Sequence, residues 1–119
     1  MKQFLAVYMG TPPSKNSESP WHKLDEATRK ARQNEGMKAW GDWMQKHQAA
    51  IVSQGGPLGK TKSASSNGIG DIKNAMTGFV IIQAESHEAA AHMFENHPHF
   101  AIFPGDSVEI MECLPMPNA

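Results

Sequence analysis

Cysteine is nearly absent. Cys113 is the only one in 119 residues, which excludes an internal disulfide and fits a reducing compartment. A strong charge of either sign is missing too. Eleven Lys and Arg stand against twelve Asp and Glu, a net charge of −1, so no global field draws nucleic acid or an anionic membrane. No apolar run approaches the ~18 residues of a membrane span. The opening Met1-Lys2-Gln3-Phe4-Leu5-Ala6-Val7-Tyr8 is too short for a signal peptide and lacks a cleavage region. A soluble cytoplasmic protein is the expectation, most simply one domain over 1–119. At this length folding buries roughly two thirds of the unfolded chain's surface, enough for a real core.

Several chemical signatures are also missing. No His-x-x-x-His pair, serine-centred nucleophile elbow or aromatic–basic strand motif occurs. The stretch Gln54-Gly55-Gly56-Pro57-Leu58-Gly59-Lys60-Thr61 invites a phosphate-loop reading and fails it. Gln54 stands where the first glycine belongs, and the stretch follows a helix pattern rather than a strand. No cofactor is expected.

What is present centres on Thr77 to Pro98. Phe79, Val80, Ile81 and Ile82 are four consecutive apolar residues between Gly78 and the polar break from Gln83 to Ser86. So short and β-branched a run predicts a strand apolar on both faces. Ser86 is a good N-cap, with Glu88 in the first turn. Ala90, Met93, Phe94 and His97 then share one helix face, and Pro98 stops the helix.

Residues 3 to 9 predict a first strand, also mostly apolar on both faces. Gly10 to Ser19 is a loop by composition, and Ser19-Pro20 a candidate helix cap. The pattern predicts helix over 25 to 34, a kink or break at Gly36, and a main helix from Met37 to Ser53. Met37, Trp40, Met44, His47 and Ile51 form its apolar face, and Gln54-Gly55-Gly56-Pro57 ends it. Lys60 to Ser66 reads as a polar edge strand, joined to the strand after Ala75 by a long hairpin tip containing Asn67-Gly68. His99 to Asp106 reads as a loop, Ser107 to Leu114 as the last strand, and Pro115 onward as a frayed tail.

The order β-α-β-β-α-β predicts an α+β fold: a ferredoxin-like sandwich with a four-stranded antiparallel sheet and two main helices. Right-handed crossovers put the first and third strands in the centre. Two helices cover only one sheet face, yet both central strands are apolar on both. A bare apolar face is unusual for a monomer, so a homodimer packed through the sheet face is expected. The alternative is a cover formed by the long 11–36 region.

The chain resembles the YCII-related family. The matching pieces include Met1 to Tyr8, Trp40-Gly41-Asp42-Trp43-Met44, Gly56-Pro57-Leu58, Thr77-Gly78-Phe79, Ala84-Glu85-Ser86, His97-Pro98-His99 and Ser107-Val108-Glu109-Ile110. They span nearly the whole chain. The resemblance implies a dimeric α/β barrel of ferredoxin-like protomers. Some members carry a His and Asp as a proposed catalytic pair. Here Ala39 or Trp40 stands at the place of that His, and His97 stands before Pro98 where an Asp-Pro would have its Asp. An Asp-Gly-Pro-Phe signature known in one branch is reduced to Asp71. The Pro-His pattern of another branch matches Pro98-His99.

Four of the six histidines lie between His87 and His99. His87, His92 and His97 are spaced by five, which sets neighbours about 140° apart on a helix, so a metal site is not expected. His97 and His99 can titrate near neutrality. An extended segment would point them to opposite sides, and the family pattern favours His99 for the pocket. The catalytic candidates are His99, His47 and Asp71; the candidate ligand-binding residues are Trp40, Trp43 and His97. Cys113 reads as an inert buried thiol. Three functions remain open. One is a small-molecule enzyme, of lyase or isomerase type, with a histidine as acid–base. The second is a non-catalytic ligand-binding or accessory domain. The third is a structural dimer module.

Overall fold

A computed structural model describes residues 1–10 and 20–117. All but Gly10 of the expected loop from Gly10 to Ser19, the Ser19 cap and the end of the tail lie outside them. Strand β1 (Lys2–Met9) is followed by a 3-10 turn (Pro20–Lys23), helix α1 (Glu26–Lys46) and a second 3-10 turn (Gln48–Ala50). Strands β2 (Ile51–Pro57), β3 (Thr61–Ser65), β4 (Gly68–Ile72) and β5 (Met76–Ala84) come next. Short helices α2 (His87–His92) and α3 (Pro98–Ala101) precede β6 (Ser107–Glu112).

The main sheet has the order β2-β5-β1-β6, antiparallel throughout. This is the ferredoxin-like arrangement, with β1 and β5 in the centre as their two-sided apolar sequences require. Leu5 pairs with Ile81 on one side and Met111 on the other. Phe4, Ala6, Tyr8, Val80, Ile82 and Ala84 face the helices and form the core with Trp43, Ala90 and Phe94. Leu5, Val7, Phe79 and Ile81 alternate with them and so belong to the opposite face.

The second strand of this sheet is not Lys60 to Ser66. Ile51–Pro57 takes that place, pairing Ile51 with Ile82 and Gly56 with Phe79. The expected helix to Ser53 therefore ends at Lys46, because Ile51 and its neighbours gain a hydrogen-bonded partner in β5. Two register shifts interrupt the pairing, one before Ser53 and one before Gly56. Gly55 takes the left-handed φ of 61° there, and a Cβ on it would overlap the Phe79 carbonyl. The Lys60 to Ser66 stretch is a strand, β3, but it pairs with β4 in a separate two-stranded sheet. Its turn is the two-residue Ser66-Asn67, with Gly68 at φ 105°, tighter than the long tip expected.

The two helical segments expected either side of Gly36 are one helix of 21 residues. Asp25 caps it by accepting from the Thr28 N–H at 2.7 Å. That bond holds the Asp25 carboxyl below its ordinary range. Gly36 causes no break. It is buried, and a Cβ there would sit 2.5 Å from the Phe103 ring. The glycine lets α1 approach the α3–β6 connection, which outweighs its helix cost of about 1 kcal/mol.

At the other end Ser86 caps α2, accepting from the Ala89 N–H at 3.0 Å. Asn96 turns the chain with φ 57°. His97 is extended, and Pro98 begins a helix instead of merely ending one. The expected loop after His99 is therefore helical at its start. Cys113 lies just past β6 and is exposed, not buried.

Candidate functional site

Tyr8 on β1 and Trp40 on α1 meet at 4.8 Å between ring centroids and form a wall between two unlike spaces. Both rings line an open cavity of about 410 Å³ between α1 and the β2–β5 end of the sheet. Both also touch His97 and His99, which are not among the cavity's lining residues.

The histidine side is closed. His97 is fully buried. Its ring stands perpendicular to Trp40 at 4.6 Å and inclined at 66° to Trp43 at 4.8 Å, with Tyr8 and Phe94 completing the surround. Nδ1 accepts the His99 N–H at 3.0 Å and caps α3. An accepting Nδ1 puts the proton of the neutral ring on Nε2, which has no hydrogen-bond partner among the described residues. Burial, with smaller contributions from His99 and His47, pushes His97 down to about 3, so the ring is neutral near pH 7.

His99 is also buried. Its Nε2 lies 2.7 Å from the Met9 carbonyl, so Nε2–H donates, and in the neutral ring Nδ1 then carries the lone pair. Gly105 packs directly on the ring, leaving no room for a Cβ. The helical turn at Pro98 thus turns both histidines inward, where an extended segment would have split them.

The cavity side is open and apolar. Met37, Trp40 and Met44 of α1 form one wall, spaced by three and four residues, with Phe103 beside them. Gly56, Pro57, Gly78 and Phe79 form the floor, and Gln54, Thr77 and Tyr8 bring the polar atoms. Among the described residues, none that lines it carries a formal charge. Burial holds the Tyr8 phenol protonated, far above its ordinary range. Its hydroxyl has no hydrogen-bond partner among the described residues, whereas the Thr77 hydroxyl donates to the Tyr8 carbonyl at 2.8 Å.

Of the residues expected at a site, only Trp40 lines this cavity. Trp43 is core, its indole N–H donating to the Met93 carbonyl at 2.8 Å. His47 caps the end of α1 with its ring 4.7 Å from Trp43. Partial burial, then the Lys46 charge, lower its pKa. Asp71 is exposed on the β3–β4 hairpin and pairs with Lys62 at 2.7 Å, so its partner is a lysine and not a histidine. Among the described residues no group of three or more His, Cys, Asp or Glu is placed to hold a metal ion, and no helix is long and apolar enough to cross a membrane. Tyr8, Met37, Met44, Gln54 and Phe103 escaped the sequence reading as site residues. The Met37-Trp40-Met44 spacing was visible, but as a core face.

No protein-family model matches the chain, and no curated protein matches it by sequence. Among solved structures it is similar to 5-chloro-2-hydroxyhydroquinone dehydrochlorinase (TftG) from Burkholderia phenoliruptrix AC1100, in complex with 2,5-dihydroxybenzoquinone. The TM-score is 0.51 at 20% identity, over 92% of this chain and 90% of that one. This likeness is one of fold: an α+β chain with a four-stranded antiparallel sheet and helices.

Proposed function

We propose that the cavity binds a flat, largely apolar, uncharged small molecule bearing an oxygen substituent. The described lining carries this reading: aromatic rings and methionines, no formal charge, and one protonated phenol with no hydrogen-bond partner among the described residues. The volume of about 410 Å³ lies within the range of about 300–1,000 Å³ of small-ligand sites. Methionine adapts to irregular ligand shapes, and the Tyr8 hydroxyl is a donor for a carbonyl or phenol oxygen. Calorimetric titration with 2-naphthol tests it. Saturable binding that weakens at least tenfold in Trp40→Ala is expected; equal binding by that variant sinks the reading.

A second reading makes the chain an enzyme of lyase or isomerase type on the same molecule. It draws support from the fold shared with a dehydrochlorinase and from His99, whose Nδ1 lone pair is unengaged among the described residues and whose ring lies 5.3 Å from Tyr8. In it Tyr8 is the proton donor and His99 the acid–base group. Turnover of an oxygenated ring substrate that survives both Tyr8→Phe and His99→Gln would remove it.

We further propose that the chain is a YCII-related protein and pairs as a homodimer through the sheet face carrying Leu5, Val7, Phe79 and Ile81. A mass of one chain, 13.0 kDa, by light scattering at micromolar concentration would refute the pairing.

A further inference from the structure

The cavity does not end at Met44 and Gln54. Both residues also line a second, adjoining space of about 650 Å³ between the last turns of α1 and the start of β2. The two spaces form one groove between α1 and the edge strand. Seven residues of β2 span about 20 Å at ~3.3 Å each, longer than any single ring system.

The two halves differ in chemistry. The Trp40 half is walled by rings and methionines. The other half presents Gln45, Gln48 and Gln54, all exposed. Among the described residues, none of the three carboxamides has a hydrogen-bond partner, and none that lines this space is charged. Three neutral groups that both donate and accept suit hydroxyls, which do the same, better than they suit an anion or a cation. Gly41 keeps the space open: a Cβ added to it meets nothing within 4 Å.

We infer that the groove takes a two-part ligand: an apolar ring at Trp40 joined to a neutral, hydroxyl-bearing arm held by Gln45, Gln48 and Gln54. This deepens the small-molecule reading and rests on it. The arm sets specificity, because a bare ring leaves the three amides to water, whereas an arm of hydroxyls satisfies them at fixed geometry.

Isothermal titration compares 2-naphthol with 2-naphthyl β-D-glucopyranoside, the same ring without and with a neutral polyhydroxyl arm. The glucoside is expected to bind at least fivefold tighter. Two variants remove the gain by different means. Gln45→Ala/Gln48→Ala deletes two of the amides, and Gly41→Leu fills the space from a position where the added carbon meets no neighbour. In both, the glucoside should fall to within twofold of naphthol while naphthol itself is unchanged. A glucoside no tighter than naphthol on the native chain overturns the inference, and so does a gain that survives in either variant. If naphthol does not bind at all, the ring site itself has failed, and the arm site falls with it.

Discussion

Behind the Tyr8–Trp40 wall His97 is 0% exposed and its cap bond fixes its tautomer; in front of the wall Met37 on the same helix as Trp40 is 67% exposed. The two sides use different chemistry for different ends. The closed side gathers His97 and His99, and burial keeps the His97 ring neutral. The open side keeps flexible apolar side chains and one phenol. The His97 and His99 pair that the sequence brings forward therefore lies behind the wall, and the described lining of the cavity in front of it carries no formal charge.

The largest effect that would break this contrast is at His97. Replacing it with Ala opens a void among four aromatic rings and leaves the His99 N–H without its acceptor. Truncating a buried ring costs roughly 3–5 kcal/mol, with about 1 kcal/mol from a lost cap. We expect a loss of about 3 kcal/mol in urea denaturation, since removing the partnerless Nε2–H offsets part of the total. A loss under about 1 kcal/mol would mean that the closed side is not core.

The same residue predicts a pH profile. His97 has a folded pKa pushed down to about 3, from an ordinary 6.5. The unfolded chain then binds more protons than the folded one between those values. The contribution is whole above about 6.5 and is lost as pH falls toward 3, at no more than about 1.4 kcal/mol per pH unit. His92 runs the other way, because its hydrogen bond to Glu95 raises its pKa, but that pair is on the surface and contributes little. Denaturation midpoints at pH 7, 5.5 and 4.5 should show the decline, and His97→Phe should flatten it. An equal slope in that variant assigns the acid sensitivity elsewhere.

Helix α1 carries the contrast within itself. Gly36 packs against the Phe103 ring, and Gly41 faces open space in the groove. Ala at Gly36 gains helix propensity of about 1 kcal/mol but must displace a ring, for which overpacking costs about 1–3 kcal/mol. Ala at Gly41 gains the propensity with no contact to disturb. Thermal melts should therefore move down for Gly36→Ala and up for Gly41→Ala. Movement in the same direction would erase the distinction between the packed and the open glycine.

How much of this was legible in the sequence follows from where each constraint comes from. β1 and β5 were readable because a central strand apolar on both faces leaves an uninterrupted apolar run. The α2 cap at Ser86 was readable because it is local. β2 was not: Ile51 continues the periodicity of α1, and Gln54-Gly55-Gly56-Pro57 reads as a stop. Only pairing with β5, some 30 residues away (Ile51 with Ile82), makes the segment a strand. Since β2 is one bank of the groove, misplacing it hid the groove; Met44 does pack against the core, but Met37, which shared its face, is exposed. The inward turn of His97 and His99 was hidden likewise, because Pro98 can end one helix or begin another and the sequence alone does not choose.

The smallest effect on stability is expected at Met37, and there it sharpens the comparison most. Met37→Gln keeps the unbranched shape and a good helix former and replaces the thioether with an amide at an exposed position. Stability should stay within about 0.5 kcal/mol of the parent. Binding of 2-naphthol should weaken several-fold, because the wall opposite the ring becomes hydrated. His97→Ala predicts a large loss of stability through a residue that touches no ligand. The pair of variants thus assigns packing to one side of Tyr8 and Trp40 and recognition to the other. A Met37→Gln chain that melts like His97→Ala, or binds naphthol as the parent does, would show that the wall divides nothing.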